Sequence, residues 1–111
     1  MATATYWQRG ETIDHKNATD AVIEANTIVV IGKRIGIAGT DIPAGETGSL
    51  HVTGVYKLPK AASTAIDAGA LVYWDASANN ITTTAGTNVL AGFAAETVAA
   101  DEATVAVKIN A

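Results

Sequence analysis

The segment closest to a catalytic motif is the glycine-rich run at residues 32–39, which contains a Gly-Lys pair. A phosphate-binding P-loop needs G-x-x-x-x-G-K-[ST], because its Ser or Thr binds magnesium. Here Thr27 stands at the first glycine position, and Arg34 stands at the Ser or Thr position. The residues that follow have the pattern of a strand rather than the required helix. The segment therefore does not predict a nucleotide site.

The other residues capable of chemistry are few and scattered. A metal site would need both histidines, His15 and His51, together with a carboxylate from a distant strand. Solvent-facing positions on strands account for both residues equally well. Ser49 lacks the G-x-S-x-G context of a nucleophile, and the chain has no cysteine. We predict no catalytic, cofactor or metal residues, and we expect a protein that is not an enzyme.

The composition indicates a surface with little charge. Charged residues make up 16% of the chain and hydrophobic residues 49%, whereas about a quarter of an average soluble chain is charged. The polar surface must therefore come from Thr, Ser, Asn and Gly. Such a surface suits contact with other subunits, because little charge has to be desolvated. It is also compatible with an ordinary β-domain.

Charge and hydropathy argue against two classes of partner. The net charge is −4, and Lys33-Arg34 is the only basic pair, so no clustered patch for nucleic-acid phosphates is predicted. The longest apolar run, residues 28–31, is far too short to span a bilayer. Residues 1–10 lack the apolar core of a signal peptide. We expect a soluble protein that stays in the cytoplasm until it meets its partner.

Short β-branched and alternating runs, separated by turn residues, indicate an all-β fold. A length of 111 residues corresponds to one domain. Frequent turns between short strands predict a small barrel or sandwich of about seven strands. These strands are expected at residues 28–31, 34–38, 50–56, 70–74, 81–84, 89–97 and 104–109. The predicted core residues are Ile28, Val30, Ile37, Val72, Phe93 and Val105.

The two halves of the chain resemble each other. Residues 23–30 match residues 66–73 in type, residues 36–38 match 92–94, and residues 42–46 match 98–102. The second half differs by an insertion at about residues 75–88, which reads as a hairpin. The pattern predicts two pseudo-repeated β-units that share one core.

The aromatic residues indicate candidate contact sites. Tyr6 and Trp7 lie in residues 1–10, which have no strand alternation and precede a single β domain at residues 11–111. Two large rings in such an N-terminal arm either fold back on their own domain or dock on a neighbouring subunit. Tyr73 and Trp74 are adjacent on a strand and therefore point to opposite faces. One of them is expected in the core and the other at the surface or an interface.

Several short segments resemble the tailed-phage capsid cement (head decoration) proteins, over nearly the whole chain. They are Gly-Ile-Ala at 36–38, Ala-Gly-Glu at 44–46, Gly-Val-Tyr-Lys-Leu-Pro-Lys at 54–60, Ala-Leu-Val-Tyr-Trp-Asp at 70–75, Ile-Thr-Thr-Thr at 81–84 and Gly-Phe-Ala at 92–94. Members of this family are sometimes labelled recombinases, and the failed P-loop argues against that activity here. The motifs are structural rather than catalytic.

The resemblance implies a structural virion protein that binds the outside of an assembled phage head and stabilises it. It implies the major capsid protein as the partner, a homo-oligomer that is often a trimer, and a place on the capsid surface after assembly in the host cytoplasm. Separately from the resemblance, the arm, the segment between the repeats and the aromatic residues are expected to contact the capsid or another subunit. These residues are Tyr6, Trp7, Gln8, Arg9, Tyr56, Leu58, Pro59, Lys60 and Trp74.

A second hypothesis belongs to a different class. A β-domain of this size can also serve as an adhesion module that binds a glycan or receptor at the host surface. That function would require exposed aromatic side chains in a groove, and Trp74 and Tyr56 are the candidates.

Overall fold

The computed structural model describes residues 3–111, and their regular structure is entirely β. The all-β prediction is confirmed, with nine strands in place of about seven. In chain order the strands are β1 (Thr12–Lys16), β2 (Ile28–Ile31), β3 (Arg34–Ala38), β4 (Thr47–His51), β5 (Val55–Pro59), β6 (Leu71–Asp75), β7 (Asn80–Thr82), β8 (Val89–Ala94) and β9 (Thr104–Ile109).

The strands form two antiparallel sheets that make a sandwich-like molecule rather than a closed barrel. The first sheet has the order β1-β4-β3-β2, and the second has the order β5-β9-β8-β6-β7. The chain passes from one sheet to the other between β4 and β5, at residues 52–54. Gly54 lies there with φ +121°, a conformation that side chains with a Cβ rarely adopt.

Two differences from the predicted strands have clear causes. The predicted strand at residues 50–56 is divided between β4 and β5, because the backbone turns at Gly54. Strand β1 was not predicted. Its sequence, Thr-Ile-Asp-His-Lys, carries one aliphatic residue, since β1 is an edge strand that pairs only with β4. Polar, charged edge strands are common because they prevent unwanted pairing.

The buried apolar residues form two clusters. The main cluster joins Ile35 and Ile37 of β3 to residues of the second sheet. Its other members are Leu58, Ile66, Val72, Trp74, Ile81, Ala91, Ala94, Val98, Val105, Val107 and Ile109. A smaller second cluster contains Ala38, Ile42 and Leu50. Four partly buried residues pack against this second cluster: Ile13, Ile23, Val29 and Ile31.

The core prediction is confirmed at three positions and wrong at one. Ile37, Val72 and Val105 are buried, whereas Val30 is 39% exposed. Strand β2 lies at the edge of its sheet, and Val30 belongs to neither cluster. Phe93 and Ile28 are only partly buried, and Ile28 packs against the main cluster.

The predicted repeat is visible in the strand pairing. Strand β1 pairs with β4 as β5 pairs with β9, and β2 pairs with β3 as β6 pairs with β8. Strand β3 pairs with β4 as β8 pairs with β9. The predicted inserted hairpin contains β7, which has no counterpart in the first half.

Equivalent hydrogen bonds confirm the repeat at the level of single residues. The isolated pair Ile23↔Ile42 corresponds to the pair Ile66↔Val98. The amide of Ala25 donates to the side chain of Asp41 at 2.8 Å, and the equivalent amide of Ala68 donates to the side chain of Thr97 at 2.9 Å. Each half therefore has the same turn held by an acceptor side chain on the following loop.

Candidate functional site

The N-terminal segment, residues 3–10, is the most exposed part of the described chain. It contains no strand, and every one of its residues is exposed. The side chains of Tyr6 and Trp7 are 79% and 81% exposed. Tyr and Trp are enriched at interfaces, because they bury a large apolar area and still carry a hydrogen-bonding group. Two such side chains side by side are therefore a candidate contact site.

The polar neighbours of these rings make only local contacts. The amide nitrogen Nε2 of Gln8 donates to the carbonyl of Thr12 at 3.1 Å. Arg9 and Glu11 form an exposed ion pair at 3.1 Å. Exposed pairs of this kind contribute about 0–1 kcal/mol to stability. The segment is therefore held to the domain weakly, and its side chains are available to a partner.

Two further candidates lie on β5 with their side chains at least partly accessible. Tyr56 is half-buried, and its ring lies 6.4 Å from that of His51, between centroids, at a tilt of 45°. This contact connects the two sheets across Gly54. Pro59 is exposed at the end of β5, an edge strand of the second sheet. An edge position suits Pro, which has no N–H for a second neighbour.

Three other candidates have side chains inside the domain. Leu58 is 4% exposed and Trp74 is 6% exposed, and both belong to the main cluster. Tyr73 lies on the opposite face of β6 and is half-buried. One of Tyr73 and Trp74 was expected in the core, and the structure shows that it is Trp74. A buried indole offers no free face for stacking on a glycan ring, which removes one of the two residues named for adhesion.

Lys60 is the third buried candidate, at 6% exposed. Its ammonium group donates to the backbone carbonyls of Ala61 at 2.9 Å, Thr64 at 2.6 Å and Ala100 at 3.1 Å. These bonds join the loop after β5 to the loop before β9. The geometry gives Lys60 a structural role within this chain.

Sequence reasoning missed the equivalent residue in the first half, Asn17. It is fully buried, and its Nδ2 donates to the carbonyls of Ala21 at 2.7 Å and Ile42 at 2.8 Å. Ala21 occupies the repeat position of Thr64, so both buried side chains bind the same loop. The repeat alignment could have found this pair, because Asn17 and Lys60 each lie one residue beyond an edge strand.

The residues that could catalyse a reaction or bind a metal do not lie close together. His15 lies opposite Gly48, and His51 lies opposite Thr12, so the two histidines sit three residues apart along the β1–β4 ladder. Across residues 3–111, no three side chains of the metal-ligating types His, Cys, Asp and Glu form a group. The same range contains no helix with the length and hydropathy needed to cross a membrane.

Comparison with known proteins identifies the family. A family model described as "phage cement protein" matches residues 7–109, which is nearly the whole chain. Searches of curated proteins and of solved structures gave no significant match. The family match covers both repeats and, from Trp7 onwards, the last residues of the exposed segment. The chain therefore belongs to the phage cement protein family.

Proposed function

We propose that this protein binds the outer surface of the assembled phage head and stabilises the shell. The observation that carries the proposal is the family match over residues 7–109, because the family supports a structural protein that binds the phage capsid. The partner is the major capsid protein, and the protein acts from the surface of the virion. The low charge of the chain, 16% of residues, favours close packing against other subunits.

The stabilising mechanism is thermodynamic linkage. A protein that binds the assembled shell, and not the separate capsid subunits, adds its binding free energy to that of assembly. Each copy contributes a small increment, and many copies together resist the outward pressure of packaged DNA. The protein needs no catalytic group for this function, only a surface that matches neighbouring capsid subunits.

The surface that we propose for contact with the capsid or with a neighbouring subunit is centred on Tyr6, Trp7, Gln8 and Arg9. Ordering a segment of this kind costs roughly 1–2 kcal/mol per residue in backbone entropy. Burial of two aromatic rings that are about 80% exposed in the single chain supplies the compensating free energy. Tyr56 and Pro59 extend the candidate surface on β5. A trimer is the assembly that fits the family resemblance.

The experiment uses purified heads that lack this protein. We expect the wild-type chain to sediment with the heads and to raise the temperature at which they release DNA. Deletion of residues 3–9 should weaken binding about tenfold or more, as expected when interface anchors are lost. The melting temperature of the free domain should change little, because these residues make few contacts with it.

The matched control is Leu71→Ala, which removes an exposed apolar side chain, 55% accessible, from the second sheet. This variant should bind heads as the wild type does. Wild-type protein that fails to bind heads, but binds host cells or glycans, would overturn the proposal in favour of adhesion. If the deletion unfolds the domain while the folded fraction still binds normally, the rings belong to the protein's own core.

A further inference from the structure

Seven apolar positions recur in the two halves of the molecule. In the first half they form the second cluster and its margin: Ile13, Ile23, Val29, Ile31, Ala38, Ile42 and Leu50. Their counterparts in the second half all belong to the main cluster or its margin: Tyr56, Ile66, Val72, Trp74, Ala94, Val98 and Val107. The same apolar face is therefore built twice, once in each sheet.

In the second half this face is covered by β7. Ile81 of β7 is fully buried and lies opposite Trp74 of β6. Its carbonyl accepts a hydrogen bond of 2.8 Å from the amide of Ala61, just beyond the end of β5. Strand β7 thus reaches from the edge of β6 to the end of β5 and seals the apolar residues beneath it.

The first half has no strand at the corresponding place within the described residues. The connection between β2 and β3 consists of Gly32 and Lys33 alone, because Ile31 pairs directly with Arg34. Strands β1 and β2 are both edges of their sheet. We call the open edge of β2, with its adjoining half-buried side chains, the β2 groove; those side chains are Ile23, Val29 and Ile31.

An unpaired strand edge above apolar side chains is the usual site for strand addition. The incoming extended segment gains main-chain hydrogen bonds, and its alternate side chains enter the groove. The described chain has one segment with the matching properties, residues 3–9, which carries Tyr6 and Trp7 and has no strand partner. Within a single copy this segment lies outside the groove, with every residue exposed.

We propose that the β2 groove binds residues 3–9 of a second copy of this chain as an added antiparallel strand. This inference rests on the proposed function, since it names the partner of the same exposed segment. Trp7 takes the place over the second cluster that Ile81 has over the main cluster, opposite Ile31. Gln8 then lies opposite Val30, as Thr82 lies opposite Tyr73. Each copy has one groove and one segment, so the contact is head-to-tail, and it forms a ring when the rotation between copies closes, as in a trimer.

The absence of cysteine in the chain makes disulfide trapping a direct test. The double variant Gln8→Cys/Val30→Cys places its two thiols on facing strands, where opposite Cβ atoms are about 4.5–5.5 Å apart. Val30 is 39% exposed, so its substitution should leave the fold intact. The control is Gln8→Cys/Val55→Cys, in which the second thiol lies on an exposed site of β5, an edge strand of the second sheet.

Both variants are oxidised with glutathione disulfide, free at high concentration and bound to heads. Non-reducing gel electrophoresis separates disulfide-linked oligomers from single chains, and mass spectrometry identifies the linked peptides in each. We expect a disulfide between positions 8 and 30 of different copies, at least tenfold more abundant than the control disulfide between positions 8 and 55. A disulfide within one copy would overturn the inference, because it would show that the β2 groove binds residues 3–9 of the same chain. No disulfide between positions 8 and 30 on heads that have bound the variant would assign the segment to the capsid protein instead. If the wild-type protein fails to bind heads, the proposed function is refuted. The disulfide between positions 8 and 30 in the free protein still tests whether the β2 groove binds a second copy.

Discussion

The two halves of this molecule share a strand plan and differ in how they cover it. Both have an edge strand, a hairpin, a turn and a returning strand, paired in the same order. In the second half, β7 seals the apolar face, and Ile66 and Val72 are almost completely buried. In the first half, the equivalent Ile23 and Val29 remain half-buried. One short inserted strand therefore distinguishes a covered apolar face from one that leaves a groove for a partner.

The polar anchors of the halves differ in a similar way. Asn17 and Lys60 occupy the same repeat position, and each binds the loop that follows its strand. Asn17 is neutral and fully buried, whereas Lys60 is charged and borders a cleft lined by Ser63 and Asp101. A charged side chain in that place is tolerated because three carbonyl oxygens accept its hydrogen bonds.

The largest expected effect compares the equivalent glycines of the two hairpins. At Gly92, φ is +145°, and an added Cβ would overlap the backbone carbonyl of Lys108. At Gly36 an added Cβ would lie 3.0 Å from Cδ1 and 3.1 Å from Cβ of Leu50, a tight contact that does not overlap any backbone atom. We expect Gly92→Ala to cost about 4 kcal/mol or more, and Gly36→Ala to cost about 1–3 kcal/mol.

Urea denaturation of both variants measures this difference. The result that contradicts it is an equal cost for the two substitutions, which would mean that β8 and β9 separate easily at Gly92.

The next comparison uses two isoleucines at one repeat position. Ile66 is 1% exposed, whereas Ile23 is half-buried at the margin of the second cluster. We expect Ile66→Ala to cost about 3–5 kcal/mol, near the upper part of the range for buried isoleucine. Ile23→Ala should cost about half as much, because part of the side chain is already in water.

Thermal and chemical unfolding of the free protein provide the measurement. If binding of a second copy covers the β2 groove, the cost of Ile23→Ala should increase with protein concentration, while that of Ile66→Ala stays constant. Equal costs at low concentration would show that the first half is as well covered as the second.

Much of the fold could be predicted from patterns within short segments. Strands β2 and β3 contain β-branched or alternating apolar residues, and the inserted hairpin appears as a gap between matching segments. Strand β1 could not be predicted, because its polar residues face solvent at a sheet edge. Val30 was misplaced because a continuous apolar run does not reveal that its strand lies at an edge.

The candidate contact residues likewise divide into those that the local sequence could identify and those that it could not. Tyr6 and Trp7 could be recognised because they lie in a segment without strand alternation, and they are exposed in the structure. Whether Leu58, Lys60 and Trp74 face a partner depends on which side of β5 and β6 is covered by β7. That coverage is a long-range property of the repeat, and the local sequence of these strands does not contain it.

The smallest expected effect concerns the two polar anchors. Lys60→Met keeps the apolar stem and removes the ammonium group, which leaves the carbonyls of Ala61, Thr64 and Ala100 without this donor. Because the neighbouring cleft allows water to reach some of these oxygens, we expect a cost of about 1–2 kcal/mol. Asn17→Ala should cost about 2–3 kcal/mol, since the buried carbonyl of Ile42 and the partly buried carbonyl of Ala21 both lose their side-chain donor.

The control for this comparison is Lys57→Met, which removes an exposed lysine from the same strand as Leu58. An exposed substitution of this type should change the free energy of unfolding by less than about 0.5 kcal/mol. Urea denaturation at neutral pH measures all three variants. A cost for Lys60→Met equal to that of the control would show that water replaces the ammonium group completely. The two loops of the second half would then be held by the apolar core beneath β7 and not by the lysine.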